Sequence, residues 1–268
     1  MQRSGGCAEV AVALIDGPVA QDHPALAQTR IEPLGPPVAT TVPCTSAACA
    51  HGTFIAGILG AQRGGMTAGI CPDCTLLLRP IFAGDAPCAT AAELADAIIE
   101  CTNAGARVIN ISAALGRAGA AETARLSAVL DHAMRRGAVV AAAAGNDGAI
   151  GGSALTRHPW VIAVAGSDRA GRPLDDCNLG HSIGRGLAAP GERMQGLGPA
   201  GATMWAGGSS TATALVSGAA ALLASLARGI SAAALRAALV PQRRPTLVPP
   251  LLDAAAAWQT LTGAEMAS

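Results

Sequence analysis

Tyrosine is absent from this 268-residue chain, and aromatic residues together make up only 2% of it. A core so poor in rings must be filled with Ala, Val, Leu and Ile, and side chains of that size let helices lie close to a sheet. Charge is scarce as well. Asp, Glu, Lys and Arg account for 13% of the residues, against about 25% in an ordinary soluble chain. Part of the surface is therefore plain and apolar, which allows a contact with a second copy of the chain. The 18 basic and 18 acidic side chains cancel, leaving no field that would gather nucleic acid or an anionic membrane. No apolar run approaches the ~18 residues needed to span a bilayer. The opening MQRSGGCAEVAVALIDGP lacks the long apolar stretch of a signal peptide, and Asp16 interrupts it, so it reads as a strand in a cytoplasmic protein.

Eight cysteines are present, at 7, 44, 49, 71, 74, 88, 101 and 177. An even count suits disulfides, although the chain is long and shows no export signal. Cys71 and Cys74 have CxxC spacing but precede an apolar strand-like run, whereas a redox pair opens a helix. A zinc site joining Cys44, Cys49, Cys71 and Cys74 is the metal-binding alternative; structural thiols or disulfides are the expected reading. The expectation is no cofactor and no metal, since no calcium-loop pattern occurs either.

Short apolar runs alternate with helical segments. Strands are expected at Val10–Ile15, Leu76–Phe82, Arg107–Ile111, Ala138–Ala143, Trp160–Ala165 and Leu187–Ala188. Helices are expected at Gly52–Gly60, Thr90–Ala104, Ala120–Arg136, Ser210–Ala227, Ser231–Leu239 and Leu252–Leu261. Thr90 with Glu93 forms a capping box, and Gly137 closes the third of these helices. The Ser210–Ala227 segment is apolar all round and should be buried. Gln28–Cys49 reads as irregular. The alternation implies an α/β fold, a mostly parallel central sheet in three layers with helices on both faces. One domain covers residues 1–268, with residues 240–268 as a helical extension packed on it.

Sites in such sheets lie at the carboxyl ends of the strands. Four residues stand where that rule looks: Asp16 after the first strand, His51 in His-Gly-Thr, Asn146 in Ala-Gly-Asn, and Ser210 in Gly-Gly-Ser-Ser-Thr. A serine hydroxyl needs an adjacent base, imidazole has the matching pKa, and a carboxylate fixes its tautomer. The oxyanion formed on attack needs preset donors, which the Asn146 amide and the Ser210 backbone N–H can supply. Taken singly, each is weak. A histidine after a loop is more often structural, and Asn-Asp-Gly is also turn chemistry. His23 reads as a turn residue; His132, His158 and His181 read as surface or supporting residues.

The blocks AVALIDGPVAQDHPAL, HGTFIAGILGA, RVINISAALG, VVAAAAGNDG, LAAPG and GGSSTATALVSGAAALL, in the order Asp, His, Asn, Ser, resemble those of subtilisin-type serine peptidases from about Val10 to Leu226. Asp-Gly-Pro, Ala-Cys-Ala-His-Gly-Thr and Pro-Ile-Phe resemble more narrowly the cyanobactin-maturation peptidases, which trim ribosomally made precursor peptides. The resemblance implies a triad of Asp16, His51 and Ser210 with Asn146 in the oxyanion hole. It implies a peptide substrate lying as an added strand along Ser112, Ala113, Ala114, Leu115 and Gly116, opposite about Phe82–Asp85. A pocket formed by Ala144, Gly145, Asp147 and neighbouring Gly151–Ala154 would take the residue before the cut; Asp147 there is more often just a solvated side chain, a preference for a basic residue being the alternative.

Four departures stand out against that family's pattern. Ser209 and Ala214 replace Thr and Pro around the nucleophile, Phe54 replaces a second histidine, and Gly17 replaces the hydroxyl residue that commonly follows the aspartate. Asp16 also lies too near the start for an inhibitory prodomain ahead of it, which points to a narrow substrate range. The alternatives of different class are a general degradative peptidase, a peptide macrocyclase using the same acyl-enzyme, and a peptide-binding scaffold with a decayed site.

Overall fold

In the computed structural model the residues described are 4–35, 44, 46–65, 67–82, 88–115, 118–242, 244 and 246–263. Strands β1 (Ala11–Asp16), β2 (Arg30–Pro33), β3 (Thr75–Pro80), β5 (Val108–Ile111), β7 (Val139–Ala143), β8 (Ile162–Ser167) and β9 (Leu187–Pro190) form one sheet in the order β2-β3-β1-β5-β7-β8-β9. Every neighbouring pair in it is parallel. Two short pairs stand apart: β4 (Cys88–Ala89) with β6 (Ala114–Leu115), and an antiparallel hairpin of β10 (Met194–Leu197) and β11 (Thr203–Ala206).

Strands this apolar on both sides must be covered on both faces. One face packs against α1 (Ala47–Gly60), α4 (Ser209–Leu226) and α5 (Ala232–Leu239), around Leu14, Phe54, Ile55, Leu59, Leu76 and Leu223. The other packs against α2 (Ala91–Asn103) and α3 (Ala120–Arg135), around Ile15, Leu77, Ile98, Ile109 and Leu130. The last helix, α6 (Ala254–Thr262), lies beside α5 and α4. The expected three-layer α/β architecture is the one observed.

Local chemistry explains the helix ends. Thr90 caps α2, and its hydroxyl and backbone exchange hydrogen bonds with Glu93 as the capping box requires. α3 gives way to Gly137 at φ +83°. By length and composition α4 could cross a bilayer, with a mean hydropathy of 1.4, contrary to the reading that no run comes near. Yet 78% of it is buried within the domain. Its Ala, Gly and Ser positions let it press directly under β5, β7, β8 and β9, and a Cβ at Gly218 would come within 2.9 Å of Ile70 in the loop before β3.

The stretch read as irregular holds edge strand β2 and the start of α1. β2 is short, largely exposed and alternates poorly, so it carries little periodic signal. The helix of His51 begins at Ala47 rather than Gly52, because the Ser46 hydroxyl accepts from the Cys49 N–H and sets the start five residues earlier.

The zinc reading does not hold. Cys44 and Cys49 are joined as a disulfide in the first turn of α1. Cys71 and Cys74 are buried elsewhere, in the turn before β3, and no metal-binding cluster occurs among the described residues. The interaction between the two thiols draws Cys74 down to about 7 and pushes Cys71 well up.

Candidate active site

Register brings the site together. Ile15 of β1 pairs with Ile111 of β5, and Ile111 pairs with Ala142 of β7. Asp16, Ser112 and Ala143 therefore stand in one row at the carboxyl edge of the sheet. Both α1 and α4 begin at that edge, which delivers His51 and Ser210 to it.

Asp16 is fully buried, and its Oδ1 accepts from Gly17 N–H at 2.6 Å and from His51 Nδ1 at 2.7 Å. The contact exists because α1 sits on bare backbone. A Cβ at Gly17 would lie 2.3 Å from the Ala48 carbonyl oxygen, and one at Gly52 would lie 2.4 Å from that of Pro18. Gly17, read from sequence as a lost hydroxyl, is thus the residue that lets the His51 helix approach. The other carboxylate oxygen, Oδ2, is buried with no hydrogen-bond partner among the described residues. Burial raises the Asp16 pKa against the opposing pull of His51 and Gly17. At His51 burial favours the neutral ring, but the charge and hydrogen bond of Asp16 outweigh it and raise its pKa. With Nδ1–H committed to Asp16, Nε2 carries the lone pair on a ring that stays partly exposed.

The two adjacent serines are told apart by what they touch. Ser209 is buried; its Oγ accepts from Gly145 N–H at 3.2 Å, and its own N–H donates to Asn146 Oδ1 at 2.8 Å. Ser210 is partly exposed, one residue into α4. Gly208 precedes them at φ +101°, where a side chain would strain the backbone and meet the Asn146 amide at 2.9 Å. With Oδ1 held by Ser209, the Asn146 Nδ2 is left as a donor. First-turn helix N–H groups lack intrahelical acceptors, so that of Ser210 is a second donor at the same place.

The substrate-side expectations fall as follows. Ser112 is buried, and its Oγ accepts from Asn110 Nδ2 at 2.8 Å; Asn110 Oδ1 in turn accepts from Ser217 of α4 at 2.9 Å. Ala113 follows Ser112, and Ala114–Leu115 form β6, whose parallel partner is Cys88–Ala89. Phe82 is buried; Gly116 and residues 83–85 lie outside the described residues. Ala144 is buried, Gly145 has φ +104°, and Asp147 is exposed with its Oδ2 accepting from Asn178 Nδ2 at 3.2 Å. Beside Asn146 a cavity of about 490 Å³ opens between Asp176, Glu192, Arg193 and Gly207.

His23 is a turn residue as expected, capping a short helical turn. His158, read as a surface or supporting residue, is buried and stands 3.3 Å from Asp131 of α3. Two residues escaped the sequence reading, Asn110 and Asn178. Asn110 interrupts an apolar strand, which was the available signal; Asn178 sits in an irregular loop and had none.

Over residues 8–250 the chain matches the Subtilase family of peptidases. Thermitase of Thermoactinomyces vulgaris is 32% identical over 191 residues, which cover 70% of this chain and 65% of thermitase. The thermophilic serine proteinase of Bacillus sp. (strain AK1) is 33% identical over 66% of this chain and 43% of its own. The chain thus spans less than two thirds of these curated relatives. Among solved structures, the protease domain of PatA is 33% identical with a TM-score of 0.87, each chain covered over 100%. The prenylagaramide maturation protease PagA is 32% identical with a TM-score of 0.85, over 97% of this chain and 96% of its own. The PatG macrocyclase domain, at 18% identity and a TM-score of 0.84, shares the fold. Sequence blocks, sheet order and relatives agree, and the chain belongs to the subtilase family.

Proposed function

We propose that this protein is a serine endopeptidase that works through an acyl-enzyme on Ser210, and that its substrate is a ribosomally made precursor peptide. One observation carries the chemistry. The Asp16–His51 hydrogen bond leaves Nε2 as a free base, at the sheet edge where α4 presents a serine whose hydroxyl has no partner among the described residues.

In this reading Nε2 of His51 takes the Ser210 proton as Oγ attacks the scissile carbonyl, and Asp16 stabilises the imidazolium that forms. The carbonyl oxygen, now negative, meets Asn146 Nδ2 and the Ser210 N–H. Collapse expels the amine with the proton from His51, and water then repeats the sequence on the ester. The cavity beside Asn146 offers room for part of the bound peptide next to the oxyanion donors. The precursor-processing part is supported by likeness to PatA and PagA, which are described as maturation proteases.

Labelling with a fluorophosphonate, followed by intact mass, tests the chemistry. Wild type should gain one adduct and Ser210→Ala none, with turnover reduced on the order of 10⁶-fold in the variant. An adduct retained by Ser210→Ala would overturn the assignment of the nucleophile. Cleavage of unmodified casein at many sites would overturn the precursor reading and leave a general peptidase.

A further inference from the structure

Asn178 lies in the loop after β8, in none of the segments that the sequence connects with the site. Its side chain is nevertheless inserted under the turn that carries Asn146. Its Oδ1 accepts from the N–H groups of Asp147 at 3.0 Å and Ala149 at 2.9 Å. Its Nδ2 donates to the Ala144 carbonyl at 3.1 Å and to Asp147 Oδ2 at 3.2 Å. Its backbone N–H donates to the Gly145 carbonyl at 2.9 Å. Five hydrogen bonds thus grip residues 144, 145, 147 and 149, on both sides of Asn146, and none is spent on Asn146 itself. The fit is tight: a Cβ at Gly145 would lie 2.3 Å from Asn178 Nδ2.

We propose that Asn178 is a positioning residue for the oxyanion hole, holding the Ala144–Ala149 turn so that Asn146 Nδ2 points where negative charge develops. The inference rests on the peptidase reading above. Among the described residues Asn146 has a single hydrogen-bonded anchor of its own, the Ser209 N–H on its Oδ1. That one bond is a pivot; it fixes one atom of the amide and leaves its swing to the backbone. The backbone is what Asn178 fixes. Only an amide serves, because one end must accept from two N–H groups while the other donates to a carbonyl and a carboxylate. A carboxylate at 178 would set oxygen against both. Since Asp147 and Ala149 are exposed, water can replace the lost partners, so removal of the amide loosens aim more than it unfolds the chain. A misplacement of about 1 Å in such a group costs on the order of 10²-fold in rate.

The test uses the full chain with p-nitrophenyl butyrate for kcat and KM, and fluorophosphonate for the rate of adduct formation. Asn178→Ala is expected to lower kcat by about 10- to 100-fold with KM within about twofold, and to slow adduct formation in parallel. Asn178→Ser, which like the alanine keeps the backbone bond to Gly145 but also offers a hydroxyl to the groups left unpaired, gives the same pattern should the alanine variant fail to fold. The decisive readout is the double variant. Because Asn178 acts through Asn146, Asn146→Ala with Asn178→Ala should be no slower than Asn146→Ala alone. Multiplying losses, or a KM effect without a kcat effect, would overturn the positioning role and leave Asn178 as structural. The underlying reading fails separately: a wild type inert to both probes sinks the peptidase, and Asn146→Ala as fast as wild type sinks the oxyanion hole together with this proposal.

Discussion

Gly17→Ala adds one methyl group and no charge, and the structure gives it a large effect on turnover. Gly17 has an ordinary backbone conformation, so alanine brings no torsional strain; the difficulty is space alone. Its Cβ would stand 2.3 Å from the Ala48 carbonyl oxygen and 2.7 Å from the carbon behind it. Both are backbone atoms in the first turn of α1, so no side chain can turn aside. Relief to ordinary contact requires α1 to retreat by about 1 Å at its N-terminal end, since unbonded carbon and oxygen atoms are not held much below normal contact in packed interiors. His51 rides on that turn. Its bond to Asp16, now 2.7 Å, would stretch to about 3.5 Å or more, past the range of a useful hydrogen bond. Loss of aim by about 1 Å predicts a fall in kcat on the order of 10²-fold, with about 1–3 kcal/mol of stability lost to overpacking.

The assay is ester hydrolysis and fluorophosphonate labelling, with thermal melting as the second axis. Gly65→Ala is the control, since the nearest atom to its Cβ would be 3.9 Å away and its backbone is unstrained. It should match wild type in rate. Gly17→Ala keeping kcat within threefold of wild type would refute the argument that backbone contact at this glycine sets the His51–Asp16 geometry.

Two further outcomes follow from the same site. Ser209→Ala removes a buried hydroxyl that accepts from Gly145 N–H; it should keep most of the adduct formation while costing about 1–3 kcal/mol of stability for the donor left behind, and loss of labelling on a folded variant would move the nucleophile to Ser209. The acid limb of kcat/KM should rise with pH, because the base must be neutral. Its midpoint should lie above the ~6.5 of an unperturbed histidine, because Asp16 outweighs the burial that favours the neutral ring, and a midpoint at or below that value in a pH-rate series would contradict this electrostatic balance.

The sequence disclosed the sheet because its interior strands are short, apolar and bounded by turn residues, and it disclosed Asp16, His51, Asn146 and Ser210 because each sits in a short block next to one of them. What it hid depends on contacts across long separations. Gly17 reads as an absence when only the chain is visible, since the oxygen that forbids a side chain there belongs to Ala48, 31 residues on and on another element. Ser209 and Ser210 differ in sequence by one position, but in space one is spent on Gly145 and Asn146 while the hydroxyl of the other has no partner among the described residues. Asn178 carries no periodicity and no capping pattern, and its five bonds all cross to the turn after β7. The residues proposed to perform the chemistry are legible because they must be of a particular type at the end of a strand. Those that aim them answer to backbone geometry, and their identity follows only once the two backbones have been brought together.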